Sequence, residues 1–310
     1  MTSHPGRGLL HLAAAVDLPG THEVAAVDLP GTHDAAPYLP LARLAEHGVL
    51  DFVTLHDTFA VPGPESLAVL SRLAPHTSRV GLVPTVTTTH AGPCHVRAAV
   101  ATLDRVSRGR AGWRPAVPAC DDEAQLFGCG PAIAPRPPQG HPVVVIDATR
   151  PQACDVAARH ADVALVAASG PARLGDVRDG LRRRAAELGR DPETLRVLAA
   201  LRIDLSGGEC AAQPGHGGGP LPTEDGPLYR GGPVDLADLI ADWHRAGAAD
   251  GFHLTPLDPR RDLERLVNGT VPLLQHRALF RTFYPGSTLR EHLGLDRSVS
   301  RFAALAGESS

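Results

Sequence analysis

The stretch RVGLVPTVTTTHAGPCHVRAAVATLDRVSRGRAGW, residues 79–113, decides the fold. It opens with an apolar, β-branched run over Arg79–Val86 of the kind that suits a buried pleated surface. A threonine-rich turn then leads into Pro93–Val106, where apolar residues recur at helical spacing behind an N-terminal proline. A second apolar run, Gly112–Val117, follows directly. Strand, helix and strand in that order form a βαβ unit, and strands this uniformly apolar belong to a parallel sheet covered on both faces.

The same alternation continues in both directions. Strand-like runs occur at Leu9–Val16, Asp51–Leu55, Pro142–Ile146, Asp162–Ala167, Leu195–Ile203 and Gly251–Thr255. Helical patterns separate most of them, at Tyr38–His47, Pro64–Leu73, Pro151–His160, Ala172–Leu188, Val234–Ala246 and Pro259–Thr282. Eight strands alternating with helices predict an α/β protein, and the spacing favours a closed (β/α)8 TIM barrel over an open sheet. The reading is a single barrel domain over 1–310. Two connections break the rhythm. Pro118–His141 carries five prolines and no convincing helix, because each proline removes a backbone donor and fixes φ. Residues 206–233 include QPGHGGGPLPTEDGPLYRGGP, which reads as a flexible loop. AAVDLPGTH occurs twice, at 14–22 and 25–33, and residues 14–33 read as a duplicated loop segment, since two copies are too few for a solenoid.

Composition excludes several chemistries. All thirty Lys+Arg residues are arginine. A lysine Schiff base, a phosphate-loop lysine and a kinase lysine are therefore ruled out. Net charge is −4 with no sustained basic patch, so no nucleic acid is expected as partner. The five cysteines (94, 120, 129, 154 and 210) include no Cys-x-x-Cys pair, which points to free thiols in a reducing compartment. Asp17 interrupts the short N-terminal apolar run, and no run reaches the ~18 residues of a membrane span. A cytoplasmic, membrane-free protein is the expectation. His90, Cys94 and His95 are metal-like in type but lack a fourth clustered ligand, so no metal is expected.

Residues 51–58 (DFVTLHDT), 79–113, 249–256 (ADGFHLTP) and 271–295 (VPLLQHRALFRTFYPGSTLREHLGL) together resemble the bacterial-luciferase-like flavin-dependent monooxygenases. The branch they resemble is that of nitrilotriacetate monooxygenase component A, pristinamycin IIA synthase and dibenzothiophene-sulfone monooxygenase. The resemblance implies a shortened TIM barrel, with the fourth helix and insertion segments trimmed. It further implies reduced FMN as cofactor, a separate flavin reductase as the partner supplying it, and a small organic molecule as substrate. Pairing into a homodimer is carried over from the family.

The resemblance also nominates residues. His56 and His95 are the catalytic candidates: His56 ends the second strand as an acid/base near neutral pH, and His95 matches the histidine of a Pro-Tyr-His motif whose tyrosine is here Cys94. Cofactor-binding candidates are Asp57, Thr85, Thr87, Trp113, Thr149 and Arg150. The capping of turns, sheet propensity and ordinary packing account for the same residue types without any ligand. Departures stand out as well. The family's Trp-Asn-x-x-Thr reads Trp113-Arg114-Pro115-Ala116-Val117, and the chain's single asparagine is Asn268. The phosphate turn reads Asp147-Ala148-Thr149-Arg150-Pro151, where Asp147 is expected to repel a phosphate unless turned away. Two further readings therefore stay open: a non-oxygenating flavin- or ligand-binding homologue or partner subunit, and a flavin-independent enzyme on the same barrel.

Overall fold

A computed structural model describes residues 8–18, 35–56, 65–86, 93–116 and 137–296. Its strands are β1 (His11–Ala15), β2 (Phe52–Leu55), β3 (Gly81–Val86), β4 (Gly112–Pro115), β5 (Val143–Asp147), β6 (Val163–Ala167), β7 (Arg196–Asp204), β8 (Gly218–Thr223), β9 (Gly226–Arg230) and β10 (Gly251–Pro256). The sheet runs β1 to β7 in order, every neighbouring pair parallel, and β10 pairs with both β1 and β7. That double pairing closes an eight-stranded parallel barrel, and all eight expected runs supply its staves. At the closure the backbones approach so nearly that a methyl on Gly251 would meet the His11 carbonyl.

Helices α1 (Tyr38–His47), α2 (Ser66–Leu73), α3 (Pro93–Val106), α4 (Pro151–His160), α5 (Pro171–Glu187) and α6 (Pro233–Arg245) cover the outside. Four of these six start with proline, whose missing N–H costs nothing in a first turn. A large core cluster lies between strands and helices, including Leu12, Val53, Leu82, Ile146, Leu201 and Leu254 on the strands. The lumen has a separate core: Phe52, Val83, Val145, Leu165 and Leu198.

That lumen core includes Leu289, from the short C-terminal helix α9 (Leu289–His292), and Leu293 just after it, reached through α7 (Pro259–Arg265), a π-turn at Leu266–Thr270 and α8 (Val271–His276). Methyls on Gly81 and Gly112 would both meet Leu289, so these glycines make room for a plug at the N-terminal end of the barrel. The plug is locked electrostatically. Asp51, wholly buried, accepts from Arg281 Nη1 (2.8 Å), Leu12 N–H (2.8 Å) and His11 Nδ1 (3.1 Å). Burial alone would raise the Asp51 pKa, but Arg281 and His11 outweigh it and hold the carboxyl at about 2.

Three expectations change. The helix expected over Pro259–Thr282 ends at His276, because Ala278 takes φ 53° and turns the chain so that Arg281 reaches Asp51. Residues 206–233, expected as a flexible loop, hold a 3-10 turn at Gly208–Ala212 and an antiparallel β8–β9 hairpin. The hairpin is anchored because β9 pairs in parallel with the C-terminal half of β7, through Arg202–Asp204 and Leu228–Arg230. Of the duplicated segment, Ala14 and Ala15 belong to β1, while the second copy lies outside the described residues, as does most of the proline-rich connection between β4 and β5. Among the described residues no helix is long and apolar enough to cross a membrane.

Candidate functional site

In (β/α)8 barrels the C-terminal strand ends and the loops after them form the site. Successive strand residues alternate faces, so period two decides which side chains enter the lumen. Phe52, Val83, Val145, Leu165 and Leu198 fill the middle of the barrel. Two residues further on, the same faces bring Thr54, Thr85, Asp147, Ala167 and Ala200 to the mouth. On β4, Trp113 packs outward against Val96 and Val100 of α3. Its neighbour Arg114 therefore faces inward, where it is the register partner of Thr85.

The polar side chains here form two separate hydrogen-bonded pairs. Arg114 Nη2 donates to Asp147 Oδ2 at 3.1 Å, while Asp147 Oδ1 accepts the Thr149 N–H at 3.0 Å. Beneath them His253 of β10 stacks on Phe52, ring centroids 6.3 Å apart. Its Nε2 shares a 2.8 Å hydrogen bond with Thr54 Oγ1. Burial, reinforced by the Arg114 charge, lowers the His253 pKa to about 4 against the opposing pull of Asp17 and Asp147. His253 is thus a neutral imidazole at physiological pH. Thr85 is 1% exposed. Its carbonyl accepts from Ser66 Oγ at 2.6 Å, but its own Oγ1 has no hydrogen-bond partner among the described residues.

The nominated residues separate into groups. Thr85 lies at the mouth. His56 follows β2 at the adjacent strand end, half-buried, its backbone N–H donating to Asp17 Oδ1 at 2.6 Å. Thr149 is exposed, and its Oγ1 accepts the Ala167 N–H at 3.0 Å, which ties the ends of β5 and β6 together. Arg150 is exposed just before α4. His95 is exposed in the first turn of α3. Trp113 points away from the lumen. Asp57 and Thr87 lie outside the described residues. Asp147 is not the bare repulsive charge expected from the sequence, since Arg114 balances it. Among the described residues no group of His, Cys, Asp and Glu could hold a metal ion.

Arg114, Thr54 and His253 were not among the nominated residues, although Arg114 and His253 lie at expected C-terminal strand ends. The signal was available for Arg114: once Trp113 packs outward, strand alternation turns Arg114 inward. For His253 the sequence carried the strand end but not the partner, since its hydrogen bond to Thr54 spans 199 positions.

The model of the luciferase-like monooxygenase family matches residues 18–114 and 122–213. Nitrilotriacetate monooxygenase component A of Aminobacter aminovorans is 28% identical, the match covering 86% of this chain and 91% of that protein. N-acetyl-S-(2-succino)cysteine monooxygenase of Bacillus subtilis is 25% identical over 398 positions, covering 85% of this chain and 90% of that protein. An alignment of 398 positions exceeds the 310 residues of this chain, so at least 88 positions of that relative have no counterpart here. Among solved structures, EDTA monooxygenase from Chelativorans sp. BNC1 superposes with a TM-score of 0.76 at 18% identity, covering 94% of this chain and 99% of that one.

Proposed function

The chain belongs to the luciferase-like monooxygenase family, and from that premise we propose that it is a reduced-FMN-dependent monooxygenase whose site is the barrel mouth around Thr85. Its Thr85 carries the reading. A buried hydroxyl without a partner costs about 1–3 kcal/mol, and a ligand placed at the mouth removes that cost. The position is a C-terminal strand end, where barrel enzymes do their chemistry.

We assign this mouth to the ring end of the flavin. Ala15, Ala167 and Ala200 are small, and Thr85 offers a hydroxyl without a partner among the described residues. The turn after β5 fits a phosphate poorly. The Thr149 N–H is held by Asp147 and Pro151 has no N–H, while the Thr149 hydroxyl accepts from Ala167 and keeps its O–H to donate. Of the expected phosphate ligands both stay in the proposal, Thr149 through that O–H and Arg150 through an exposed guanidinium that suits an anion. Bound reduced flavin would supply the activation of O2. The chain's own contributions are to bind and to orient. Neutral His253 fixes the Thr54 hydroxyl, the Arg114–Asp147 pair holds the ends of β4 and β5, and His56 stands at the mouth as the proton-transfer group. His95, exposed on α3, has a role only if a loop brings substrate to it. The flavin comes from a separate reductase, a reading supported by the name "component A" of one relative.

A second reading, a homologue that binds ligand without oxygenating it, has its own support. The Thr149 N–H held by Asp147, the absent N–H of Pro151 and the shortened chain all weaken the hold on a flavin. One experiment separates the two. FMN and anaerobically reduced FMN are titrated calorimetrically, and O2 uptake is then followed with NADH and a flavin reductase present. Saturable binding below about 100 µM, inside the usual enzyme KM range, supports a flavin site. Binding without protein-dependent oxygenation of added organic substrates favours the second reading, and absence of binding overturns both flavin readings.

A further inference from the structure

Arg114 has more hydrogen-bonding capacity than the described residues use. A guanidinium carries five N–H donors in a planar fork. One hydrogen bond from it is made among the described residues, to Asp147 Oδ2 at 3.1 Å. The side chain is 22% exposed, and Asp147 is 44% exposed, so the pair faces the open end of the lumen. The register partner Thr85 is buried and presents Oγ1 without a partner among the described residues. A cationic fork and an unused hydroxyl thus stand side by side on neighbouring strands, above apolar packing. The imidazole below them is neutral and offers no competing charge.

We infer that Arg114 and Thr85 form a carboxylate-binding subsite that selects a small organic acid as substrate. The inference rests on the proposed site and names its substrate class. Two N–H groups of Arg114 take the carboxylate in the bidentate manner that guanidinium favours, and Thr85 donates its one O–H to a carboxylate oxygen, which leaves the lone pairs of Oγ1 to accept from an N–H of the reduced flavin. Asp147 acts as internal counter-ion, holding Arg114 in place and yielding part of it on binding. Arginine suits this task where an amide would not, because its charge persists at every working pH.

The test uses succinate as probe, titrated calorimetrically into the full chain with and without saturating FMN. Saturable binding is expected, with the uncharged diamide of succinate failing to bind. Arg114→Asn should weaken succinate at least about tenfold, the loss of a charge-assisted hydrogen bond. Thr85→Val should weaken it less than Arg114→Asn. Asp147→Asn should strengthen it about two- to fivefold, since an exposed competing carboxylate has gone. The opposite signs of the Arg114 and Asp147 variants keep the test decisive if one of them folds poorly. Equal affinity in wild type and Arg114→Asn, no saturable binding, or weaker binding in Asp147→Asn overturns the inference. Succinate displaced by FMN also overturns it, by assigning Arg114 to the flavin itself. FMN binding without succinate binding refutes the subsite and leaves the flavin reading standing; succinate binding without FMN binding does the reverse.

Discussion

Asp104 is a buried carboxylate with no ion pair among the described residues. It is wholly buried on α3, and both donors that reach it go to the same oxygen: Gln139 Nε2 at 2.5 Å and Ala111 N–H at 3.2 Å, each to Oδ1. Its Oδ2 is buried with no hydrogen-bond partner among the described residues. Burial therefore wins over the hydrogen bonds and raises the pKa from 3.8 to about 6. That rise disfavours the charged form by about 3 kcal/mol, as an order of magnitude. The sign follows from proton linkage. A carboxyl whose folded pKa lies above its unfolded one destabilises the fold as pH rises from about 4 through about 6, and the loss persists above that. Asp104→Asn removes the charge and keeps an acceptor for Gln139 and Ala111. We expect it to stabilise the protein by about 1–3 kcal/mol at pH 8 and by almost nothing at pH 4. Urea unfolding of both proteins at the two pH values reads the difference directly. A variant less stable than wild type at pH 8, or a gain of equal size at both pH values, would refute the reasoning.

Asp51 should answer with the opposite sign. Asp51→Asn leaves Arg281 buried without its counter-charge, at a cost of about 3–5 kcal/mol near neutral pH. Because the folded pKa of about 2 lies below 3.8, the gap in urea unfolding should narrow as pH falls from 4 toward 2, and an unchanged gap counts against the plug lock. His253 and His292 are both lowered from 6.5 to about 4, so each should cost stability as pH drops from about 6.5 to 4. His253→Gln should flatten that part of the pH profile of unfolding, and an identical profile would show that His253 is already charged. Leu289→Ala opens a cavity at the barrel floor and should cost about 2–5 kcal/mol by denaturant unfolding. A cost below about 0.5 kcal/mol, the size of an ordinary surface change, would remove Leu289 from the core.

Much of the barrel was legible because its signals are local. Each stave is an apolar, β-branched run, and helices such as Pro93–Val106 and Pro151–His160 announce their starts with proline. What escaped was set by distant contacts. The helix after Pro259 stops at His276 because Arg281 must turn toward Asp51, some 230 positions earlier in the chain. The hairpin at Gly218–Arg230 looks like a flexible loop by its glycines and prolines, and acquires order from the exposed edge of β7. The site follows the same rule. Thr85 and His56 could be read from their places at strand ends. Arg114 looked like the loss of an amide until the outward packing of Trp113 turned it into the lumen. Asp147 looked hostile to any anion until Arg114 proved to be its partner. The first fact follows from a neighbour in sequence once its packing is known; the second rests on a contact 33 positions away.

The central claim is that a reduced flavin occupies the mouth beside Thr85. Anaerobic calorimetric titration with reduced FMN, on wild type and Thr85→Val, tests it most directly. The account expects saturable binding below about 100 µM and a weakening of about 5- to 100-fold in the variant, the range for one buried hydrogen bond left unmade. No saturable heat up to about 1 mM, the upper end of ordinary KM values, or equal affinity in the two proteins, would contradict it.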